Sequence, residues 1–528
     1  MQEPGPPGPP PPPPPGPPKR FAGSGVRIAV ALLTVALIAV SIFAYVGFRR
    51  TGDLQDRLDE QERQSERDEP ENPLDDIFGD LGGEGDLDDL LGDLGGGGDL
   101  LGGSNSDLLE CLSSGGGGGL EDLFGGGGGG LEDLFGGGGA APKKESPQQL
   151  VRSISKQVEK IRKLAFEKPV KADFLTGAEV GRRVGELFLE DYSRLDADLE
   201  RRVLEALGAI PQGLDLFTAR RKLLEGQVAG FYVPKTEELV VLAEDQLGPL
   251  ERVSLAHELE HALADQNLDL PLPERSNPET ADADAAKLAV VEGDATLTMQ
   301  RWALANLSIT DQLSMISGSP ALQQSQEDLE AMPHFIQQQL SSPYLDGLGF
   351  VCALEREGGW AAVDKAYDEP PASTDQVLFP ERYDPDAEPI DPADTGNPGP
   401  GWRSAQNATF GAAELKWLFE APGGDPAAAI AEPLESAGAW GGGEFELWTD
   451  GDASALGIAL AQRQGSDGLC ESITEWYSAS FSDDDERSEG EAVLVAEGSE
   501  QTAVITCPGD EVRVGIGPSL EVARSLTG

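Results

Sequence analysis

The chain predicts an α+β protein, mainly helical through its middle, with a small β-hairpin sheet there and a smaller α+β domain at the C-terminus. Three observations carry this. Apolar residues recur at helical spacing through much of 146–388, as at Leu150, Ile154, Val158, Ile161 and Leu164. One segment, QVAGFYVPKTEELVVLAE at 227–244, instead sets β-branched and aromatic residues on either side of a Pro-Lys-Thr breaker. Beyond about Pro389 a Pro/Gly/Asp linker gives way to short strand-like runs: GEFELWT, ASALGIAL, EAVLVAEG, TAVITCP and EVRVGIG.

Taken in order, the N-terminal third is expected to be disordered apart from one segment. Residues 1–27 are rich in proline, and 49–145 mix glycine runs with acids, including LEDLFGGGG at Leu120 and again at Leu131. Neither stretch holds enough apolar surface to offset the entropy of ordering it. Between them 28–48 is apolar and uncharged. At about 1.5 Å per residue a helix of that length crosses a bilayer of about 30 Å. This predicts a single-pass transmembrane helix, with a cleaved signal peptide as the rival. Lys19, Arg20 and Arg27 precede it, against Arg49 and Arg50 after it. That balance puts the N-terminus in the cytoplasm and the folded part outside the cell membrane.

Order is expected to resume at Ser146, which caps a first helix. A strand is expected in 168–175, a Thr176-capped helix to Tyr192, and another helix at 196–207. The hairpin of 227–244 turns at Pro234–Glu237. Long helices follow at 250–266 and from Ala281 to Leu307, then two or three more between Ile309 and Tyr367. Two folded domains result, 146–388 and 389–528, the second with helices near 467–481 and 518–526.

The net charge of −55 over 528 residues would repel phosphate, which excludes a nucleic-acid partner. Of the four cysteines, Cys470 and Cys507 share the C-terminal domain. A disulfide between them suits an oxidising compartment, and two unpaired small hydrophobes are the alternative.

The chemistry is concentrated in His257-Glu258-Leu259-Glu260-His261. Positions i and i+4 share one helix face, so both imidazoles can reach one ion. Zinc takes nitrogen ligands at about 2.0–2.1 Å. Glu258, rotated by about 100° from His257, stands beside the ion as a general base. The chain has only 3 histidines, which makes a chance occurrence of this spacing rare. A catalytic site needs a third protein ligand, and no third histidine follows at short spacing. Glu292 in the next long helix is the candidate: Val290, Val291, Ala295 and Leu297 around it read as buried, where a lone carboxylate is costly. Gly293 and Ala295 are small enough to let that helix approach the first. Surface charge is the alternative reading of Glu292.

LAHELEHAL followed by VEGDA resembles the gluzincin clan of zinc peptidases. With GFYVPKTEELVVL, GFVCALEREGGWAAVDKAY and PPASTDQVLFPERY, approximately 220–385 also resembles a bacterial family of predicted metallopeptidases. The resemblance implies a zincin-like catalytic domain with one Zn²⁺ per chain. It departs from the expected pattern at Glu260, where a threonine is expected, and at Phe379, where a histidine is. It also implies a substrate-edge strand including Val228, Gly230 and Tyr232, and an oxyanion donor among Tyr232, His334, Tyr344 and Tyr383. Asp265 or Asp294 would orient a ligand imidazole. The expectation is therefore a membrane-anchored zinc metalloendopeptidase acting on a peptide or protein. The alternatives are a cell-envelope scaffold with a structural zinc site and a zinc amidase acting on a cell-wall amide. Oligomeric state is not legible.

Overall fold

The computed structural model describes residues 111–112 and 146–528, apart from 228–229, 243–246, 273–276, 317–319, 483 and 500. The architecture is α+β, with two separate sheets. Helix α1 (Pro147–Arg162) opens with a capping box between Ser146 and Gln149. Strand β1 (Ala172–Leu175) leads into α2 (Gly177–Asp191), capped by Thr176 and Glu179. Then come α3 (Arg194–Ala206) and α4 (Leu216–Gln227).

The hairpin is β2 (Gly230–Val233) and β3 (Glu238–Leu242), antiparallel, with β1 added parallel on the far side of β3. The order β1-β3-β2 leaves β2 at the edge. Its turn closes through the Thr236 amide to Val233 O and puts Glu237 in the left-handed region. Two long buried helices follow: α5 (Pro249–Asn267) and α6 (Ala281–Asn306). Next come α7 (Ile309–Ile316), α8 (Pro320–Glu330), α9 (His334–Gly358), α10 (Trp360–Asp368) and α11 (Thr374–Leu378).

The C-terminal part is a seven-stranded sheet that is antiparallel throughout. Its strands are β4 (Arg403–Thr409), β5 (Trp440–Asp450), β6 (Ala453–Gln462), β7 (Asp485–Glu489), β8 (Ala492–Glu497), β9 (Thr502–Thr506) and β10 (Glu511–Gly517). The order is β4-β5-β6-β10-β9-β8-β7. The outer strands β4 (RSAQNAT) and β7 (DERSE) are polar, as suits edges that must not pair with another chain, and so carry no apolar alternation to read. Helices α12 (Ala412–Glu420), α13 (Pro433–Ala437), α14 (Leu469–Ser480) and α15 (Leu520–Leu526) accompany the sheet.

One apolar cluster joins α2, α3 and α4 to this sheet, running from Val180 to Ile516 across residue 388. A second packs α1 and the hairpin on α5, and a third packs α6 on α9 and α10. Two disulfides are present, Cys470–Cys507 and Cys111–Cys352. The second has no precedent in the sequence reading. It fixes buried Cys111 to α9, and its carbonyl accepts from Arg301 Nη2 at 2.7 Å.

The membrane expectation is corrected. No helix among the described residues is long and apolar enough to cross a membrane. The apolar stretch 28–48, like the tail and most of the tether, lies outside the described residues. The single-pass anchor and the membrane localisation built on it are withdrawn.

Candidate metal centre

Helix α5 starts at Pro249, whose ring is pre-set for a first helical turn, and is buried from Val253 to Ala264. Its helical period puts His257 and His261 one turn apart, with ring centroids 4.5 Å apart and planes at 81°. Helix α6 crosses beside it and delivers Glu292. Glu292 Oε2 lies 3.2 Å from His257 Nε2 and 3.5 Å from His261 Nε2. One ligand atom from each of the three residues falls within 4.8 Å of the other two. Two nitrogens and one oxygen therefore face a common point from two helices.

Gly293 serves a different neighbour from the one its size suggested. A β-carbon there would lie 2.2 Å from Gly347 O of α9, so the glycine admits α9 rather than α5. Glu292 is held between the two contacts.

His257, Glu258, Glu260, His261, Glu292 and Asp294 all have zero exposure. Of the four buried carboxyls in this set, Glu260 and Asp294 lie beside the buried Arg162 guanidinium. His261 Nε2, Glu292 Oε1 and both oxygens of Glu258 have no hydrogen-bond partner. Buried polar atoms without partners, with acids in excess, are costly unless a cation joins them. Burial, with His261 adding to it, lowers His257 to about 4 despite Glu292 beside it, so the imidazole is neutral and its lone pair available. Burial opposes ionisation of Glu292, but the two imidazoles hold it below the usual carboxylate range. Glu258 goes the other way, pushed well up by burial and by Glu292. The set fits a divalent cation.

The remaining sequence candidates separate clearly. Tyr344, buried on α9, has its ring centroid 6.1 Å from that of His257. Tyr232 donates its hydroxyl to Asp265 at 2.6 Å, so Asp265 is engaged there. Tyr383 donates to the Glu369 carbonyl, and His334 begins α9 and pairs with Glu420 at 3.0 Å. Gly230 of edge strand β2 lies against Glu258: a β-carbon there would stand 3.7 Å from Glu258 Cγ. Val228 lies outside the described residues. Asp294 binds Arg162 and Tyr367.

Comparison with known proteins adds little. No family model and no curated protein matches the chain. One solved structure that does, from Chloroflexus aurantiacus, is described as "a putative hydrolase with a novel fold". It has 13% identity and a TM-score of 0.28, over 46% of this chain and 90% of that one. A superposition that loose decides neither fold nor activity.

Sequence reasoning missed Arg162, which lies 95 positions before His257 in the chain. No local signal could have found it, because an arginine at the end of an amphipathic helix ordinarily faces water.

Proposed function

We propose that this protein is a zinc-dependent metallopeptidase in which His257, His261 and Glu292 hold the ion. The observation that carries the reading is the convergence of these three ligand atoms from two helices, with Glu258 beside them and no fourth ligand in the group among the described residues. A divalent ion held by these residues would acidify a water molecule and polarise a carbonyl oxygen.

The chain's own residues do the rest. Glu258 takes the proton from the water that attacks the carbonyl carbon. It then returns that proton to the amine as the carbon–nitrogen bond breaks. Tyr344, with its ring centroid 6.1 Å from that of His257, is assigned to the oxyanion. The edge strand β2, beside Glu258, is assigned to pair with an extended peptide.

The complete burial of the site favours a second reading, a structural zinc site that only ties α5 to α6. Glu258→Gln separates the two. Under the peptidase reading the variant keeps a full zinc complement by elemental analysis and loses peptide hydrolysis by at least a hundredfold, about the worth of a general base. Unchanged hydrolysis removes Glu258 as the base. Zinc uptake with no hydrolysis of any peptide library, by wild type or variant, favours the structural reading. A peptide mimic of cell-wall crosslinks in the same assay covers the amidase alternative.

A further inference from the structure

A buried polar cluster adjoins the candidate metal centre, and none of its members belongs to the His257, His261 and Glu292 group. Its hub is Arg162, the last residue of α1, after which Lys163 turns the chain in the left-handed region. The guanidinium has zero exposure. Its Nε lies 2.9 Å from both oxygens of Asp294 and 3.9 Å from Glu260 Oε1, and its Nη2 is 2.6 Å from Asp364 Oδ1. Tyr367 donates its hydroxyl to Asp294 Oδ2 at 2.9 Å, and the Trp360 ring lies 4.5 Å from the guanidinium carbon.

The two acids that Arg162 gathers flank the ligands. Glu260 sits between Glu258 and His261 on α5, and its Oε2 is 3.8 Å from His261 Nδ1. Asp294 is two residues beyond Glu292 on α6. One planar cation from outside both ligand helices thus hydrogen-bonds α6 through Asp294 and stands within ion-pair distance of Glu260 on α5, next to the proposed ligands of each. Arginine suits this, because its donors leave a rigid plane in fixed directions, whereas a lysine presents one mobile point charge. A surface ion pair would not set geometry in this way, but a buried and hydrogen-bonded one does.

We propose that Arg162, with Tyr367 bracing Asp294, is a positioning residue for the metal centre: it sets the distance and rotation between α5 and α6 at which His257, His261 and Glu292 meet. The assignment rests on the metal reading above and adds to it a determinant outside the ligand helices. It acts through Asp294 and Glu260, without touching ion or substrate.

The test uses the full chain, stripped of metal, as wild type, Arg162→Lys and Tyr367→Phe. Each is titrated with zinc against a chelator and with cobalt(II) followed by visible absorption, and the melting temperature of each metal-free protein is recorded. Arg162→Lys keeps the charge and loses the fork, and Tyr367→Phe removes one hydroxyl. The expected result is a zinc dissociation constant raised about tenfold to a hundredfold in Arg162→Lys and by about tenfold in Tyr367→Phe. The cobalt bands shift in both. Wild-type zinc affinity and an unshifted cobalt spectrum in the variants overturn the proposal, including where the metal-free protein merely melts lower. Should Arg162→Lys not fold, Tyr367→Phe decides on the same two readouts. A wild-type chain that takes up no zinc fails at an earlier step, and there the metal reading itself is lost.

Discussion

Gly293 of α6 and Gly347 of α9 meet backbone to backbone: a β-carbon on the first would stand 2.2 Å from the second's carbonyl oxygen, and one on Gly347 would stand 2.3 Å from Ala289 O. The adjoining residue, Glu292, is a proposed ligand, so this contact fixes the helix that carries it. Gly293→Ala is expected to force α6 from α9 and to cost about 1–3 kcal/mol, the usual range for overpacking. Urea denaturation measures the loss, and zinc content should fall with it. Gly349→Ala, on α9 with nothing within 4 Å of its β-position, is the control and should be nearly neutral.

Metal removal should destabilise the fold, because the ligand atoms converge only in the native state. At a free zinc concentration a thousandfold above its dissociation constant, the bound ion contributes about 4 kcal/mol. Melting with zinc and with a chelator should therefore differ by several degrees. The difference should vanish in His261→Ala. A full zinc complement in that variant would remove His261 from the ligand set.

Asp282, in the first turn of α6, gives stability a pH dependence of definite sign. Burial raises its carboxyl to about 7, against an ordinary value of 3.8, although the Thr374 amide and hydroxyl donate to it. The folded state thus binds a proton that the unfolded chain releases. The stabilisation is complete below about pH 4 and is lost as pH rises through about 7, a change of about 4 kcal/mol. Asp282→Asn should flatten that part of the stability–pH curve. Denaturation midpoints at a series of pH values between 4 and 8 test it, and an unaltered slope would count against the assignment.

The two disulfides differ in reach. Cys111–Cys352 closes a separation of 241 residues and Cys470–Cys507 one of 37. Each is expected to contribute about 2–5 kcal/mol, the longer loop more, by restricting the unfolded chain. Reductant should lower the melting temperature, and Cys111→Ser with Cys352→Ser should reproduce most of the loss. The untreated, denatured protein should titrate with no free thiol.

The histidine pair was legible in the sequence because its geometry is local: four residues along a helix return a side chain to the same face, whatever surrounds it. Glu292 was legible at one remove, through its apolar neighbours. Arg162 was not, since nothing in an amphipathic helix marks which charge turns inward. The polar edges β4 and β7 were unreadable because an edge strand shows neither alternation nor burial. Cys111 sits among glycines and acids, where nothing local tells of a partner 241 residues away.

What this sequence determines alone is what short-range periodicity can encode: helices, a hairpin, and two imidazoles on one helix face. The tertiary structure decided which neighbours those faces meet. It brought Glu292 to the histidines, α9 against Gly293, and the Arg162 guanidinium behind both ligand helices. Such contacts join residues tens to hundreds of positions apart, and they arise from packing complementary surfaces, a property that no local window of residues contains.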